Sequence, residues 1–323
     1  MNYLKKLAQA SICAALMGSS LTAVAQEYPD KAVKITVGMA PGGSNDTIAR
    51  LMSSELSNRM GKTFVVENKP GANSTIATSE LKRSKPDGYS LMLVISSHVT
   101  NTMLYPKLNY SLDDFKPVSV IAETPFVLVA NPKFKPNTLQ EFIDLAKSSK
   151  QKIDFGTPGL GSTQHIAMEL MDQMAGIKMN HVPYKGGAPA QTDLLGGVIP
   201  LIFATPTQSL PFIQRDQLKA IAVTSKKRLP QLPDVPTFDE AGLPGYDANV
   251  WFGIIAPKDT PDDIVQKLNG EITSILKEEA VRKRLADLGL TPIGSTTEEF
   301  AQLLKAEQSK WQDVIKKANI KFE

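Results

Sequence analysis

The sequence predicts an α/β protein made of two similar halves, each built on a parallel sheet. Three observations carry this expectation. A motif occurs twice: residues 34–49 read KITVGMAPGGSNDTIA and residues 152–167 read KIDFGTPGLGSTQHIA. Seven of the 16 positions are identical at an offset of 118 (Lys34/Lys152, Ile35/Ile153, Gly38/Gly156, Gly43/Gly161, Ser44/Ser162, Ile48/Ile166 and Ala49/Ala167). Each copy runs strand, glycine-rich loop, helix, and the first runs on into a further strand, a βαβ unit that implies parallel pairing. The 298 residues that follow a predicted 25-residue leader suit two domains of ordinary size.

Residues 1–25 read as a secretory leader. Lys5 and Lys6 supply the positive start, a mostly apolar stretch runs from Leu7 to about Val24, and Ala23-Val24-Ala25 is a small-x-small site, so cleavage is expected after Ala25. The stretch is shorter than the ~20 residues of a membrane span, and serines interrupt it. Cys13, the only cysteine, lies in the leader without a small residue directly before it, so lipidation is not expected. Stability after the leader rests on a core without disulfides. Losing the leader removes two lysines and no acid, which lowers the net charge from +3 to +1. No basic cluster stands out, which argues against nucleic acid as a partner.

Val33–Gly38 alternates apolar and polar residues and reads as a strand. Pro41-Gly42-Gly43 is a loop, Ser44 the expected N-cap, and Asp46 a first-turn acid. Ile48, Leu51, Met52 and Leu56 repeat at helical spacing, Gly61 stops the helix, and Thr63–Glu67 is the next strand. Strand Ser90–Ile95 follows the Pro86-Asp87-Gly88 turn, then strands Pro117–Ala122 and Phe126–Ala130 and helix Leu139–Ser148. In the second copy Ile153–Gly156 is the strand and Ser162 the N-cap. Ile166, Leu170, Met171 and Met174 form a helical core stripe, and Gly176 is the stop. Strands Leu201–Ala204, Ala220–Thr224 and Trp251–Ala256 are expected, with Leu229–Pro244 as a proline-rich surface loop. Helices Asp262–Lys277, Glu279–Leu288 and Thr297–Asn319 close the chain.

Each glycine loop opening a helix is a candidate anion site, because free backbone N–H groups and the positive helix end point at one spot. One such site per half suggests a small acidic ligand gripped from both sides.

A set of short motifs spans the chain after the leader in a fixed order: Tyr28-Pro29; Ala40-Pro41-Gly42-Gly43-x-x-Asp46; Val66-Glu67-Asn68-x-Pro70-Gly71-Ala72; Pro86-Asp87-Gly88-Tyr89; Gly161-Ser162-x-x-His165; His181-Val182-Pro183-Tyr184-Lys185-Gly186; Pro233-Asp234-Val235-Pro236-Thr237; and Gly253-x-x-Ala256-Pro257-x-x-Thr260-Pro261. In this order they resemble the extracytoplasmic solute receptors of tripartite tricarboxylate transporters, the Bug family. The resemblance implies a type II periplasmic-binding-protein fold, two lobes joined by crossing hinge strands at Pro125–Val129 and near Trp251–Ile255. Lobe 1 is then 27–125 plus 251–323 and lobe 2 is 126–250. It further implies a periplasmic monomer that takes a small organic carboxylate and hands it to the membrane components of the transporter, with no cofactor and no metal.

The implied ligand contacts are Met39, Pro41, Gly42, Gly43, Ser44, Asn45, Asp46, Ser97, His98, Gly161, Ser162, Thr163, Tyr184, Gly187, Ala204 and Thr205. Gly42 and Gly43 let backbone approach closely. Asp46 either orders the first loop, meets a ligand amino group, or is a plain first-turn acid. Arg50 is expected to pair with a nearby carboxylate. His98 is a ligand contact or a packed, hydrogen-bonded histidine, His165 faces its own domain, and Tyr184 stacks on the ligand or closes over it. Phe203-Ala204-Thr205-Pro206 stands where the family often carries an acid, which suggests a hydroxyl-rich or apolar wall suited to an aromatic or longer dicarboxylate.

Two other outputs stay open on sequence alone: a ligand receptor for a membrane sensor kinase, and a periplasmic hydrolase. The hydrolase has little support. His98, His165 and His181 lack acids at metal-ligand spacing, there is no Gly-x-Ser-x-Gly elbow, and Ser79-x-x-Lys82 stands without companion motifs on an expected helix.

Overall fold

The computed structural model describes residues 28–318 and 320, so the predicted leader, its cleavage site and Asn319 lie outside the described residues. All described helices and strands belong to the compact unit Lys31–Glu323, and Tyr28–Asp30 carry none. No described helix is long and apolar enough to cross a membrane.

Strand β1 (Val33–Val37) leads into helix α1 (Ser44–Met60) and strand β2 (Phe64–Asn68), which lies parallel to β1. Helix α2 (Thr75–Arg83) follows a 3-10 turn, and strand β3 (Ser90–Ile95) pairs parallel on the other side of β1. Helix α3 (Ser97–Leu104) then leads to strand β4 (Phe115–Pro125). Phe126 alone separates β4 from strand β5 (Val127–Ala130), which belongs to the second sheet. There the chain continues through α4 (Leu139–Ser148), β6 (Asp154–Thr157), α5 (Thr163–Ala175), β7 (Asn180–Pro183), α6 (Gly187–Gly196), β8 (Leu201–Ala204), α7 (Pro206–Ile213) and β9 (Lys219–Val223). Strand β10 (Asn249–Pro257) returns to the first sheet, followed by α8 (Asp262–Lys277), α9 (Glu279–Asp287), β11 (Thr291–Pro292) and α10 (Thr297–Ala318).

The first sheet has six strands in the order β11-β4-β10-β3-β1-β2, and the second has five in the order β7-β6-β8-β5-β9. Both keep a parallel set (β1, β2 and β3; β6, β7 and β8) beside antiparallel strands. This is the two-lobed α/β fold expected. The chain crosses between sheets at Phe126 and again just before Asn249, whereas Trp251–Ile255 lies wholly inside β10, paired with β3 and β4.

Local signals explain most boundaries. Gly61 and Gly176 end α1 and α5 in the left-handed conformation (φ 68° and 64°), which glycine adopts without a Cβ clash. Ser162 caps α5, its Oγ accepting from His165 N–H at 3.3 Å. Three expectations need correction. Gly43, not Ser44, is the N-cap of α1, because its backbone is extended (φ −86°, ψ 175°) and Ser44 is already helical. Met174 is exposed on α5, while Ile166, Met168 and Met171 supply the buried stripe. The proline-rich stretch is no plain surface loop, since Leu229, Leu232, Phe238 and Leu243 are buried and Thr237 bridges to Val223 of β9.

Each sheet has its own core. In the first, Met92, Val94, Val120, Trp251, Ile255, Phe300 and Leu304 pack together, with Trp251 edge-on to Phe300 at 5.3 Å. Gly253 lies against that ring: a Cβ there would stand 2.4 Å from Phe300 Cζ and 3.2 Å from the Ser119 carbonyl oxygen. Gly270 is exposed on α8 with no neighbour within 4 Å of a Cβ. The two glycines should therefore respond oppositely to alanine. Gly253→Ala is expected to destabilise by about 1–3 kcal/mol through overpacking, and Gly270→Ala to stabilise by about 0.5–1 kcal/mol. Urea midpoints at unchanged m-value check both signs.

Candidate functional site

The loops that follow β1, β6, β7 and β8 meet the end of β3 at one cavity, at the ends of parallel strands where α/β folds place ligands. Its wall from the first lobe is Met39, Ala40, Gly43, Ser44, Asn45 and Ile95, with Val250 and Phe252 of β10. The second lobe contributes Pro158, Gln164, Gly186, Gly187, Ala188, Thr205 and Gln208. None of these side chains is charged. The cavity is tight, about 50 Å³.

Four helix starts face it. Ser44 and Asn45 open α1, Gln164 is the second residue of α5, Gly187 and Ala188 open α6, and Thr205 is the N-cap of α7. The first amides of a helix have no in-helix carbonyl one turn back, but they differ here. Helix α7 opens on Pro206, which has no N–H, and its Gln208 amide donates to Thr205 O; in α5 the His165 amide donates to Ser162 Oγ. In α1 the first amide bonded back is Thr47, to Gly43 O at 3.0 Å.

Both glycine loops are pinned by their own helices. Gly42 N–H donates to Asp46 Oδ2 (3.1 Å), which also accepts from Arg50 Nε (3.0 Å). Arg50 Nη2 donates to Asn68 Oδ1 (3.2 Å), and Asn68 Nδ2 to the Met39 carbonyl (3.2 Å). Burial opposes ionisation of Asp46, but the Arg50 guanidinium and the Gly42 amide outweigh it and hold the carboxyl below its ordinary range. In the second lobe Gly161 N–H donates to His165 Nδ1 (3.0 Å), so the neutral ring carries its proton on Nε2, 3.7 Å from Glu169 Oε1. Burial raises the Glu169 carboxyl, but His165 and Lys178 bring it below the usual value. His165 stacks on His181 at 3.8 Å. Burial, then the neighbouring His165, drops His181 to about 3.

The lobes touch across the cleft. Ser44 Oγ and Thr205 Oγ1 are 2.6 Å apart. Asn73, left-handed at φ 50°, donates from Nδ2 to Gly161 O (3.0 Å) and to Asn101 Oδ1 (2.8 Å), and Asn101 returns a bond to the Asn73 carbonyl (2.8 Å).

Of the residues expected at the ligand, the cavity gathers Met39, Gly43, Ser44, Asn45, Gly187 and Thr205. The others stand elsewhere. Pro41 and Gly42 are exposed beside the cavity, Asp46 braces the loop, and Gly161 and Ser162 shape the α5 start. Ser97, Thr163 and Ala204 are buried and do not line the cavity. His98 packs with Tyr110 and Phe115, where burial lowers it to about 4, and neither ring nitrogen finds a partner among the described residues. Tyr184 turns away, its hydroxyl donating to Asp193 Oδ2 at 2.8 Å. Sequence reading missed Gln164 and Gln208. A signal existed for both: Gln164 aligns with Asp46 in the duplicated motif, and Gln208 follows Thr205 by one turn. Val250 and Phe252 had none beyond their strand.

Residues 48–320 match the family described as Tripartite tricarboxylate transporter family receptor. The chain is 34% identical to Protein BugT of Bordetella pertussis over 325 residues, covering all of both chains. Among solved structures, it is similar to R. palustris Rpa4515 with adipate (33% identity, TM-score 0.88, covering 91% of this chain and 99% of that one). It is also similar to MatC from Rhodopseudomonas palustris with bound malate (33% identity, TM-score 0.84, 89% and 100%).

Two outcomes follow from the site's supports. Asn73→Asp keeps the side-chain shape and the left-handed tolerance but turns a donor into an acceptor facing two oxygens. Removing that bond should cost about 1–3 kcal/mol of lobe contact, read as a larger radius of gyration in X-ray scattering. The second concerns Asp172 on α5, whose Oδ2 accepts from Met179 N–H at 2.9 Å. Burial, then nearby Glu169, pushes its carboxyl from 3.8 to about 7. A raised folded-state value means stability that is full below 3.8 and lost as pH rises through 7. Asp172→Asn should therefore gain stability relative to the parent between pH 5 and 8, by up to a few kcal/mol, checked by denaturation at both pH values.

Proposed function

The chain belongs to the receptor family of tripartite tricarboxylate transporters, and from that premise we propose that it is a periplasmic substrate-binding protein. It captures a small organic carboxylate between its lobes and delivers it to the membrane components of the transporter. The observation that carries this reading is the convergence of four helix starts, from both lobes, on a cavity whose lining has no charged side chain. The adipate and malate held by two relatives agree with it.

A helix start stabilises an anion by about 0.3–1 kcal/mol when exposed and up to ~2 when partly buried. Four of them, with neutral amide and hydroxyl donors, suffice for a carboxylate without an arginine. A bond bridged by water is nearly as good enthalpically as a direct one. Such a site binds in the usable range and still releases its cargo. A cavity of about 50 Å³ is far below the ~300–1,000 Å³ of a typical ligand site, so entry requires the lobes to part. We place the pivot at Phe126 and Ala248, where the chain changes sheets, and hinge closure is the usual motion of such receptors.

We assign Met39, Gly43, Ser44, Asn45, Gly187 and Thr205, joined by Gln164 and Gln208, as the ligand contacts. Asp46 and His165 act indirectly by pinning the two loops. A receptor without catalysis fits the partners of the polar groups: the Ser44 hydroxyl faces Thr205, and the three histidines engage other groups outside the cavity wall. Export to the periplasm fits the leader-like start of the sequence.

The test is a thermal-shift screen of mono-, di- and tricarboxylates, aliphatic and aromatic, followed by calorimetry. A binder at 100 times its Kd should add about 2.7 kcal/mol of stability. If no carboxylate stabilises the protein, the proposal is wrong.

A further inference from the structure

Gly161 is held from both lobes at once. Its N–H donates to His165 Nδ1 of its own lobe at 3.0 Å, and its carbonyl accepts from Asn73 Nδ2 of the first lobe at 3.0 Å. The first bond needs an unprotonated Nδ1. The second closes the cleft. Both run through one glycine, left-handed at φ 69°, with Gly159 at φ 151° two residues before it.

The two partners differ in freedom. The His165 side chain is buried, its backbone N–H is fixed on Ser162 Oγ, and its ring stacks on His181 at 3.8 Å. Asn73 stands in a strained turn: Ala72, Asn73 and Ser74 are all left-handed (φ 44°, 50° and 74°), a conformation that costs residues with a Cβ. Such a turn persists only while surrounding contacts hold it. The bond to Gly161 is one of those contacts.

A proton on Nδ1 would set two N–H donors against each other. The buried, stacked ring is held in place, so the glycine loop is the part that moves, and the Gly161 carbonyl moves with it. Asn73 then loses an acceptor and the strained turn loses a support. The charged ring has a partner waiting, because Glu169 Oε1 lies 3.7 Å from Nε2 on the same helix.

The other groups around His165 are neutral or already paired. Lys178 bonds Glu169 at 3.0 Å, and Asp172, further along α5, feels Glu169, Lys178 and Lys152. From β7 His181 faces the ring, with the Thr157 hydroxyl of β6 on its Nε2, and β6 also presents Phe155. The Tyr246 hydroxyl donates to Ala167 O, and α10 meets α5 through the Gln173 amide and the Val314 carbonyl. Imidazole is the side chain that ordinarily changes charge between pH 5 and 8. Among these neighbours Asp172, at about 7, shares that window, and His181, at about 3, does not.

We propose that His165 is a positioning residue that links lobe closure to protons: neutral, it holds Gly161 in the grip of Asn73; protonated, it releases the loop and the lobes part. The open form binds the extra proton, so acid favours opening and rising pH favours closure. The receptor captures its ligand near neutrality and releases it in acid. This adds regulation to the carboxylate-receptor reading and rests on it for that consequence alone, since closure is measured without ligand.

The experiment is X-ray scattering of the full mature protein, without ligand, from pH 5 to 8 at constant salt. Imidazole nitrogen NMR of the same samples follows the His165 signal, identified by its absence from His165→Asn. The parent should have a smaller radius of gyration at pH 8 than at pH 5, with the midpoint of the His165 signal. Below that midpoint the closed-to-open ratio should fall about tenfold per pH unit, the slope of one proton. His165→Asn puts a carboxamide oxygen, an acceptor that does not titrate, in place of Nδ1 and should stay compact at every pH. His165→Leu has no acceptor and should stay expanded at every pH. Asp172→Asn should keep the parent's response. A parent radius that does not change with pH would overturn the proposal, as would a pH response that survives in His165→Asn or vanishes in Asp172→Asn, or a compact His165→Leu. A purely structural role for His165 predicts expansion in His165→Leu without any pH response in the parent. If His165→Leu does not fold, the parent and His165→Asn decide. None of these outcomes bears on the carboxylate-receptor reading, which falls only if the carboxylate screen finds no binder.

Discussion

Thr224 holds together the place where the two lobes meet. It is fully buried, and three hydrogen bonds converge on it: its N–H donates to Phe126 O (2.9 Å), its Oγ accepts from Phe126 N–H (2.8 Å), and its hydroxyl donates to Ala248 O (2.7 Å). Phe126 is the residue at which the chain leaves the first sheet, and Ala248 the one before it returns. One threonine thus ties both crossings, and in a buried setting such bonds are costly to break. The consequence is geometric. Both crossings are thereby held at one buried point, and the ends of β1, β3, β6, β7 and β8 are directed to the same cavity.

The cavity's lack of charge follows from the same geometry. A cation in so narrow a wall would lose much of its hydration with no acid there to pair with it, and an unpaired buried charge is expensive. Helix starts avoid this. Their partial charge is carried by backbone that is already ordered, and the Ser44–Thr205 contact lets the lobes meet through neutral hydroxyls. The charged pair beside the first loop, Asp46 and Arg50, is joined at 3.0 Å, with Asp46 buried and Arg50 exposed.

What was legible in the sequence was local. The βαβ unit of β1, α1 and β2, the Ser162 cap and the glycine stops at Gly61 and Gly176 all depend on neighbours within a turn or two, and each was readable. Leu139–Ser148, Leu201–Ala204 and Asp262–Lys277 have the bounds their patterns imply. The failures are tertiary. Nothing near Ser44 says that its hydroxyl will face Thr205, 161 residues away. The sequence left His98 open between a ligand contact and a packed histidine, and only the tertiary fold shows α3 setting it in the Tyr110–Phe115 cluster. The proline-rich stretch carries its apolar residues without period, so its burial against the second sheet left no pattern to read.

The duplicated motif is the element whose meaning the structure changes most. At the offset of 118, Gly43 aligns with Gly161 and Asp46 with Gln164. The hydrogen bonds run in a different register. Gly42 N–H is held by the side chain four residues on, Asp46, and that by Arg50 four further; Gly161 N–H is held by His165, which faces Glu169. Both lobes use the same i, i+4, i+8 ladder, shifted by one residue and made from different chemistry. These glycine amides are therefore committed to the fold and unavailable to an anion. Their commitment is what makes the next amides usable, because a loop fixed at its glycine cannot fold back onto the helix start and occupy it. The repeat thus encodes the support for two helix ends that face the cavity. The residues that face the cavity from those ends, Asn45 and Gln164, occupy motif positions at which the two copies differ.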